Sequence, residues 1–418
     1  MTLERFVDTG MLIPLGEPER LALGLKTEKL ERQYLAREIR TVGVFEPDET
    51  QERIVAAWID GRIEKLYADF TGISVEKGWH LFDLYSPLLY SAQKELQIAR
   101  DASEPQGASD TLLRLAREKL ELLGLSKEQV AHIETLGEPQ LTLTIPSPTA
   151  GIVLEKYAHQ GMYVKQGQPV YRIADLNRLW LMVDVHERDS SWISLGQSVD
   201  VDVDGLPGAS IQGRIGFIDP ELNPKTRTIR VRVEVDNSEG QIRPGMFATT
   251  TIFAELSRNG ELATTDLVGS YACPMHLLER SEQPEQRCPI CGMEQVLAPS
   301  NAGEKKGKVL ALPREAVLTT GRRHIVYVED HHEESGERMY QGFEVELGPL
   351  AAKWHVMEDG IRHKLGEYYP VVSGLSLGMS VVTNGQFLID SQMELSGKPS
   401  LLRAEGGASA DPHAGHKK

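Results

Sequence analysis

The chain has 418 residues, and its 45 lysines and arginines against 61 aspartates and glutamates give a formal net charge of −16. A chain of this length is too long for one compact core and predicts about three or more domains. The acidic balance argues against nucleic acid as a partner, and no apolar run is long enough for a membrane-spanning helix.

The N-terminal segment (1–50) opens with mixed, acidic residues and lacks the basic start and apolar run of a signal peptide. Two explanations stay open: the protein is cytoplasmic, or this chain lacks its leader.

Two stretches, 61–82 and 151–171, repeat one pattern in which apolar and polar residues alternate around glycines. The pattern is typical of short, half-buried strands joined by tight turns. One copy is too small to bury its own apolar face. The regions 51–87 and 139–175 are therefore predicted to pair as the two halves of one lipoyl-like β-sandwich.

A lipoyl carrier domain presents a lysine at the tip of a hairpin. Lys65 and Lys156 fall inside the strand pattern instead. We therefore expect neither lipoate nor biotin on this chain.

Between the two halves, residues 88–138 have helical character. Apolar residues recur at helical spacing over 88–100 and 111–123, and Gly124 is placed to end the second helix. The motif 126–129 resembles a capping box that opens a further short helix. The sequence predicts an α-helical hairpin inserted into the sandwich.

Residues 176–256 contain evenly spaced segments of alternating polarity, separated by turn signals. The predicted strands are 179–185, 198–203, 228–235 and 247–253. Such spacing favours a small antiparallel β-barrel.

Several short motifs carry a family resemblance: 61–67, 81–87 with Ala92 and Gln93, 146–151, 220–228 and 243–246. With the inserted hairpin, they resemble the periplasmic adaptors (membrane fusion proteins) of resistance-nodulation-division (RND) efflux pumps, in the copper/silver type of the heavy-metal branch. The resemblance extends over roughly residues 20–395.

The resemblance implies a mainly β, multidomain and elongated protein that ends in a membrane-proximal β domain (308–400). Part of the N-terminal segment, around 37–46, is expected to complete that domain. The final residues (401–418) are small, polar and histidine-bearing, and we expect them to be disordered.

All the cysteines lie close together in the sequence with one histidine, as Cys273, His276, Cys288 and Cys291. The spacing is C-x2-H, eleven residues, then C-x2-C, so two short ligand pairs can wrap one ion tetrahedrally. Thiolates with imidazole suit Zn(II). The thioethers of Met275 and Met293, which are weaker candidates, would favour Cu(I) or Ag(I).

The surrounding unit (264–300) is too small to be stable without a staple or a metal, and its flanking linkers (261–270 and 298–308) suggest independent folding. It resembles a heavy-metal-binding module of efflux adaptors and metal-pumping ATPases, with Leu277 where that module has proline. The alternative is a disulfide between Cys288 and Cys291 that leaves Cys273 free.

Other metal candidates are weaker. His331 and His332 belong to a polar run typical of a solvated hairpin tip, whereas His413 and His416 in the tail have ligand-like spacing. Met11 is the one methionine near the N-terminus beyond the initiator, and a single thioether cannot hold Cu(I) alone.

No sequence motif indicates an enzyme. The resemblance implies a periplasmic adaptor, associated with the inner membrane, that joins a proton-driven RND transporter to an outer-membrane channel through its hairpin. It also implies a ring oligomer and heavy-metal ions as cargo: copper or silver, with zinc, cobalt and nickel as further candidates. The alternative is a stand-alone metal-binding or metal-sensing protein on the adaptor fold.

Overall fold

The computed structural model describes residues 13–101, 108–136, 138–206, 210–265, 267, 269–276, 279–283, 286–298, 304–321, 323–331, 338–356, 362–396 and 400–401. The predicted tail beyond Leu401, Met11, His332 and the side chain of His331 lie outside the described residues. The described chain is mainly β, as the sequence predicts.

The strands are β1 (Ile13–Leu15), β2 (Lys26–Lys29), β3 (Glu31–Gln33), β4 (Ala36–Pro47), β5 (Glu52–Ala56), β6 (Gly61–Leu66), β7 (Ser74–Val75), β8 (His80–Tyr85), β9 (Thr142–Pro146), β10 (Gly151–Lys156), β11 (Tyr163–Val164), β12 (Pro169–Ala174), β13 (Arg178–His186), β14 (Ser198–Val203), β15 (Ser210–Asn223), β16 (Thr228–Asp236), β17 (Phe247–Glu255), β18 (Tyr271–Ala272), β19 (Arg280–Ser281), β20 (Val296–Leu297), β21 (Val309–Pro313), β22 (Leu318–Thr319), β23 (His324–His331), β24 (Arg338–Glu344), β25 (Glu346–Leu347), β26 (Ala351–Val356), β27 (Arg362–Ser373) and β28 (Ser380–Asn384). The helices are α1 (Glu17–Ala22), α2 (Pro87–Asp101), α3 (Ala108–Leu122), α4 (Lys127–Leu136) and α5 (Gln386–Leu395). Among the described helices, none has the length and apolar character needed to cross a bilayer.

The chain forms two compact units. One combines Val44–Leu181 with Glu234–Met246, and the other combines Met1–Gly43, Met182–Val233 and Phe247–Lys418.

In the first unit, two sheets interlock the two sequence repeats. Their strand orders are β5-β12-β10-β7 and β11-β6-β8-β9. Strand β6 of the first copy pairs with β11 of the second, and β10 of the second pairs with β7 of the first. Each sheet therefore contains strands from both copies, which is how two small repeats come to bury one shared core.

The turns of the repeats match as well as the strands. Gly72 and Gly78 have φ of 87° and 91°, and Gly161 and Gly167 both have φ of 80°. A residue with a Cβ is disfavoured in this left-handed region, so the repeated glycines are explained by the turns they form.

The inserted segment forms helices where the sequence predicts them. Helix α2 buries Leu89, Ala92 and Leu96 toward the apolar core of the unit. At the start of α4, the Gln129 N–H donates to Ser126 Oγ at 3.2 Å and the Ser126 N–H donates to Gln129 Oε1 at 2.9 Å. These two bonds confirm the predicted capping box.

Next in the chain come the strands of the barrel. Strands β13, β16, β15, β14, β17 and β4 are neighbours in this order, and an additional pairing of β4 with β13 closes them into a ring. The alternating burial of β14 and β16 reflects apolar residues on one face only. The predicted antiparallel barrel is confirmed, although the long strand β15 had not been predicted.

The N-terminal strands join the last part of the chain. Strand β1 pairs with β24, β2 with β28 and β3 with β21. The expected contribution of 37–46 differs in detail, because β4 places Ala36 opposite Ala352 on β26 and also pairs with the barrel strands β17 and β13. A strand of this length is long enough to take part in both regions of one continuous sheet.

Candidate metal centre

The Cys/His unit (270–298) is entered and left through two chain segments that pair with each other. Thr264 and Lys305 form a parallel bridge, and the Thr264 N–H donates to the Glu304 carbonyl at 3.0 Å. Ser257 and Lys306 form an antiparallel bridge nearby. The composition of these segments suggested linkers, but backbone hydrogen bonds pair them with each other. We call the two paired segments, 257–265 and 304–307, the neck.

The unit also packs on the end of the barrel. Leu267 forms an apolar cluster with Ala272, Ala298 and Leu195. The Thr265 hydroxyl donates to the Leu195 carbonyl at 2.8 Å. Gly196 has φ of 80°, and a Cβ at this position would lie 2.7 Å from Leu267 side-chain atoms. The unit therefore packs against the barrel, and its independent folding stays a prediction.

Backbone hydrogen bonds shape the two ligand-bearing turns. In the first, the His276 N–H donates to the Cys273 carbonyl at 3.2 Å. In the second, the Gly292 N–H donates to the Cys288 carbonyl at 2.8 Å, and the Cys288 N–H donates to the Met293 carbonyl at 2.8 Å. Gly292 has φ of 72°, which explains the glycine after the last cysteine.

The four predicted ligands come together, with all their donor atoms within 4.8 Å of one another. Cys273 Sγ lies 3.4 Å from Cys291 Sγ and 3.7 Å from His276 Nδ1, and Cys288 Sγ lies 3.6 Å from the same nitrogen. Metal–sulfur bonds of about 2.3 Å in a tetrahedron separate the ligand atoms by roughly 3.5–3.8 Å. The donor set therefore has the size and number that a tetrahedral metal ion requires.

The four ligands differ in access to solvent. Cys273 and Cys288 are buried, His276 is half-buried and Cys291 is exposed. Of the four donors, the one on Cys291 therefore belongs to the residue most open to solvent.

The orientation of His276 fixes which nitrogen faces the sulfurs. Its Nδ1 lies near the sulfurs of Cys273 and Cys288, whereas its Nε2 is buried and has no hydrogen-bond partner among the described residues. A metal on Nδ1 requires that the ring proton sit on Nε2. The arrangement thus fits an imidazole that binds through Nδ1.

The pKa values of the two buried thiols, Cys273 and Cys288, are shifted in opposite directions. Burial raises the pKa of the Cys273 thiol. Burial also opposes ionisation of Cys288, but backbone N–H groups of Cys291 and Ile290 donate to its sulfur and hold its pKa below the ordinary thiol value. Of the two buried thiols, Cys288 is the one whose surroundings favour the thiolate.

Met275 and Met293 do not share this burial. Their side chains are 62% and 44% exposed, and both residues contact the site through backbone groups. The Met293 carbonyl accepts from the Cys288 N–H, and the Met275 N–H donates to the Cys273 sulfur.

Comparison with family models matches three stretches of the chain. Residues 52–174 match the CusB barrel-sandwich hybrid domain, 178–255 the CusB-like beta-barrel domain, and 270–294 the heavy metal binding domain. The helical hairpin thus lies inside the first match and the Cys/His cluster inside the third.

Whole-chain relatives agree with these matches. The putative membrane fusion protein SilB of Salmonella typhimurium is 24% identical over 383 residues, covering 91% of this chain and 72% of SilB. The cation efflux system protein CusB of Escherichia coli (strain K12) is 22% identical over 417 residues, covering 97% of this chain and 84% of CusB. The crystal structure of MacA from Actinobacillus actinomycetemcomitans is 18% identical with a TM-score of 0.44, covering 86% of this chain and 99% of that one.

A barrel-sandwich hybrid interrupted by helices and followed by a β-barrel defines a membrane fusion protein, the adaptor class of efflux systems. Within that class, the matched domains are those of the CusB-like, copper/silver type of RND membrane fusion proteins, and the chain carries a heavy metal binding domain. The family predicted from the sequence is confirmed.

Proposed function

We propose that this chain is the periplasmic adaptor of a copper or silver efflux pump and that Cys273, His276, Cys288 and Cys291 bind the transported ion. The observation that carries the proposal is the tetrahedral cluster of these donors on a CusB-like frame. The adaptor supplies no chemical step. Its residues capture an ion, coordinate it through three sulfurs and one nitrogen, and present it at the exposed Cys291 side.

Soft ligands favour soft ions. Three thiolates outnumber the single imidazole, which suits Cu(I) and Ag(I), although Zn(II) accepts the same set. We propose Cu(I) or Ag(I) as cargo, with zinc as the competing ion.

The partners follow from the adaptor class. We propose an inner-membrane RND transporter, an outer-membrane channel and further copies of this chain in a ring. The inserted helices expose Leu88, Ile98, Leu112 and Leu115, each at least 50% accessible, which supports a contact surface for the channel on this hairpin.

The test is an anaerobic titration of the reduced full-length protein with Cu(I), Ag(I) and Zn(II), each against a competing chelator of known affinity. The wild type should bind one ion per chain, with Cu(I) or Ag(I) held more tightly than Zn(II). The double variant Cys288→Ser, Cys291→Ser should lose this binding, because two of three sulfurs are gone.

The same variants should then be expressed with their transporter and channel in a copper-sensitive host that lacks its own adaptor. The double variant should restore less copper tolerance than the wild type. If it restores tolerance fully while failing to bind ions, the adaptor role stands and the cargo role of the cluster is wrong.

A further inference from the structure

A cavity of about 570 Å³ lies within the second unit, and its lining includes none of the four donor residues of the Cys/His cluster. Barrel strands β14, β15 and β17, the hairpin of β26 and β27, and both segments of the neck contribute to its lining. A volume of this order is typical of sites for small organic molecules. Metal binding at the Cys/His unit does not account for it.

The cavity has the opposite charge balance to the whole chain. Its lining includes Arg214, Lys306 and Arg362 against the single carboxylate of Glu255, whereas the chain has a net charge of −16. Positive charge focused in a concave site attracts anions.

Two of these cations are already paired. Arg362 forms a 2.5 Å ion pair with Asp200, and Lys306 lies 3.5 Å from Glu255. The Arg214 guanidinium forms no ion pair or hydrogen bond with the residues that the structure describes, although the residue is half-buried. Arg214 is therefore the group that has donors to offer an incoming anion.

The remaining walls are aromatic and apolar. Phe253 and Trp354 pack edge to face with ring centroids 5.0 Å apart, and the Arg362 guanidinium lies 4.4 Å from the Phe253 ring centroid. These contacts make a rigid wall that suits a flat apolar body more than a hydrated ion.

We propose that this cavity binds a small organic anion, with its carboxylate, sulfonate or phosphate group on Arg214 and its apolar or aromatic body against Phe253 and Trp354. The site is separate from the metal centre, and its ligand is chemically unrelated to the metal cargo.

The probe is 1-anilinonaphthalene-8-sulfonate, an aromatic sulfonate whose fluorescence rises in apolar sites, titrated into the full-length protein. N-phenyl-1-naphthylamine serves as a neutral comparison with the same apolar body. The variants are Arg214→Gln, which removes the charge, and Ser198→Leu, which fills space at the cavity lining. Arg230→Gln on β16, an exposed arginine outside the cavity, is the matched control.

We expect Arg214→Gln to raise the sulfonate Kd about tenfold and leave the neutral probe unchanged, since one charge-assisted hydrogen-bonded contact is lost. Ser198→Leu should weaken both probes, and Arg230→Gln should behave as wild type. Circular dichroism and urea unfolding establish that each variant is folded. The proposal is overturned if sulfonate binding is the same in wild type, Arg214→Gln and Ser198→Leu, or if Arg230→Gln weakens it equally.

Discussion

The sandwich and the Cys/His unit have different sources of stability within one chain. The sandwich buries large side chains completely, among them Leu81, Phe82 and Tyr171. In the Cys/His unit the apolar cluster consists of Leu267, Ala272 and Ala298 against Leu195. Burial can hold the first together, whereas the second has little buried apolar surface among its described residues, so we expect a bound metal ion to supply most of its stability.

The comparison also explains where each region tolerates change. The stability of a core of close-packed side chains decreases with every methylene group that is removed, but it does not depend on bound ions. A metal-held unit tolerates changes at its exposed residues and depends on its few ligands.

Metal removal should unfold the Cys/His unit alone. In hydrogen exchange of the full-length protein, stripping the ion with a chelator should speed amide exchange in 270–298 by at least about 1000-fold. The sandwich strands β6, β8, β10 and β12 serve as the internal control and should keep their protection. Unchanged protection in 270–298 would show that the Leu267 cluster suffices without metal.

Truncation of the sandwich core should have the complementary effect. Phe82 is fully buried, with its ring centroid 6.1 Å from that of Tyr171. Phe82→Ala should lower the free energy of unfolding of the sandwich by about 3–5 kcal/mol, as measured by urea denaturation. Ion affinity should be unaffected, and Phe70→Ala, at an exposed position, is the matched control. A concurrent loss of ion affinity would mean that the two regions are not separate.

The two regions should also respond to pH in different ranges. Ion binding requires deprotonated thiols, so apparent ion affinity should fall about tenfold or more for each unit from pH 8 to pH 6. The sandwich should be insensitive in that range.

At alkaline pH the sandwich should weaken instead. Burial raises the pKa of Tyr171. Its contribution to stability is therefore fully present below the ordinary tyrosine pKa of about 10 and is lost as the pH rises above that value toward the folded-state pKa. Urea unfolding should show this loss above pH 10, and Tyr171→Phe should reduce it. An equal loss in Tyr171→Phe would assign the effect to another group.

The smallest effect is expected at the methionines. Because the side chain of Met275 is 62% exposed, Met275→Leu should change Cu(I) affinity by less than about twofold. Competition with a Cu(I) chelator measures this directly, and Met293→Leu should behave in the same way. A tenfold loss in either variant would add a thioether to the ligand set.

Local signals made much of this molecule predictable. The glycine turns of the repeats, the capping box at 126–129 and the paired spacing of Cys273 with His276 each depend on residues close in sequence. For such features the chemistry of a few neighbours decides the structure. The four candidate ligands form two pairs that are each close in sequence. To predict the cluster, it was therefore enough to assume that the two ligand-bearing turns meet.

The features that could not be predicted from the sequence are contacts between residues that are far apart along the chain. Gly196 leaves room for the Leu267 side chain at the end of the barrel, and no sequence pattern around either residue predicts this contact. The cavity is assembled from residues as far apart as Tyr34 and Arg362, and each turn or strand contributes at most a few of its lining residues. Composition made 298–308 read as a linker, because backbone pairing between two separated segments leaves no periodic mark.

The pairing of the two neck segments has a consequence for the insertion or removal of the Cys/His unit. The chain enters and leaves the Cys/His unit at one point, where Ser257 lies opposite Lys306 and the Gly307 N–H donates to the Leu256 carbonyl at 3.1 Å. Excising the intervening segment would join residues that are already neighbours, with β17 and β21 undisturbed on either side. The Cys/His unit is thus inserted at a single point of the frame, so we expect a chain that lacks it to need only a short connection between β17 and β21.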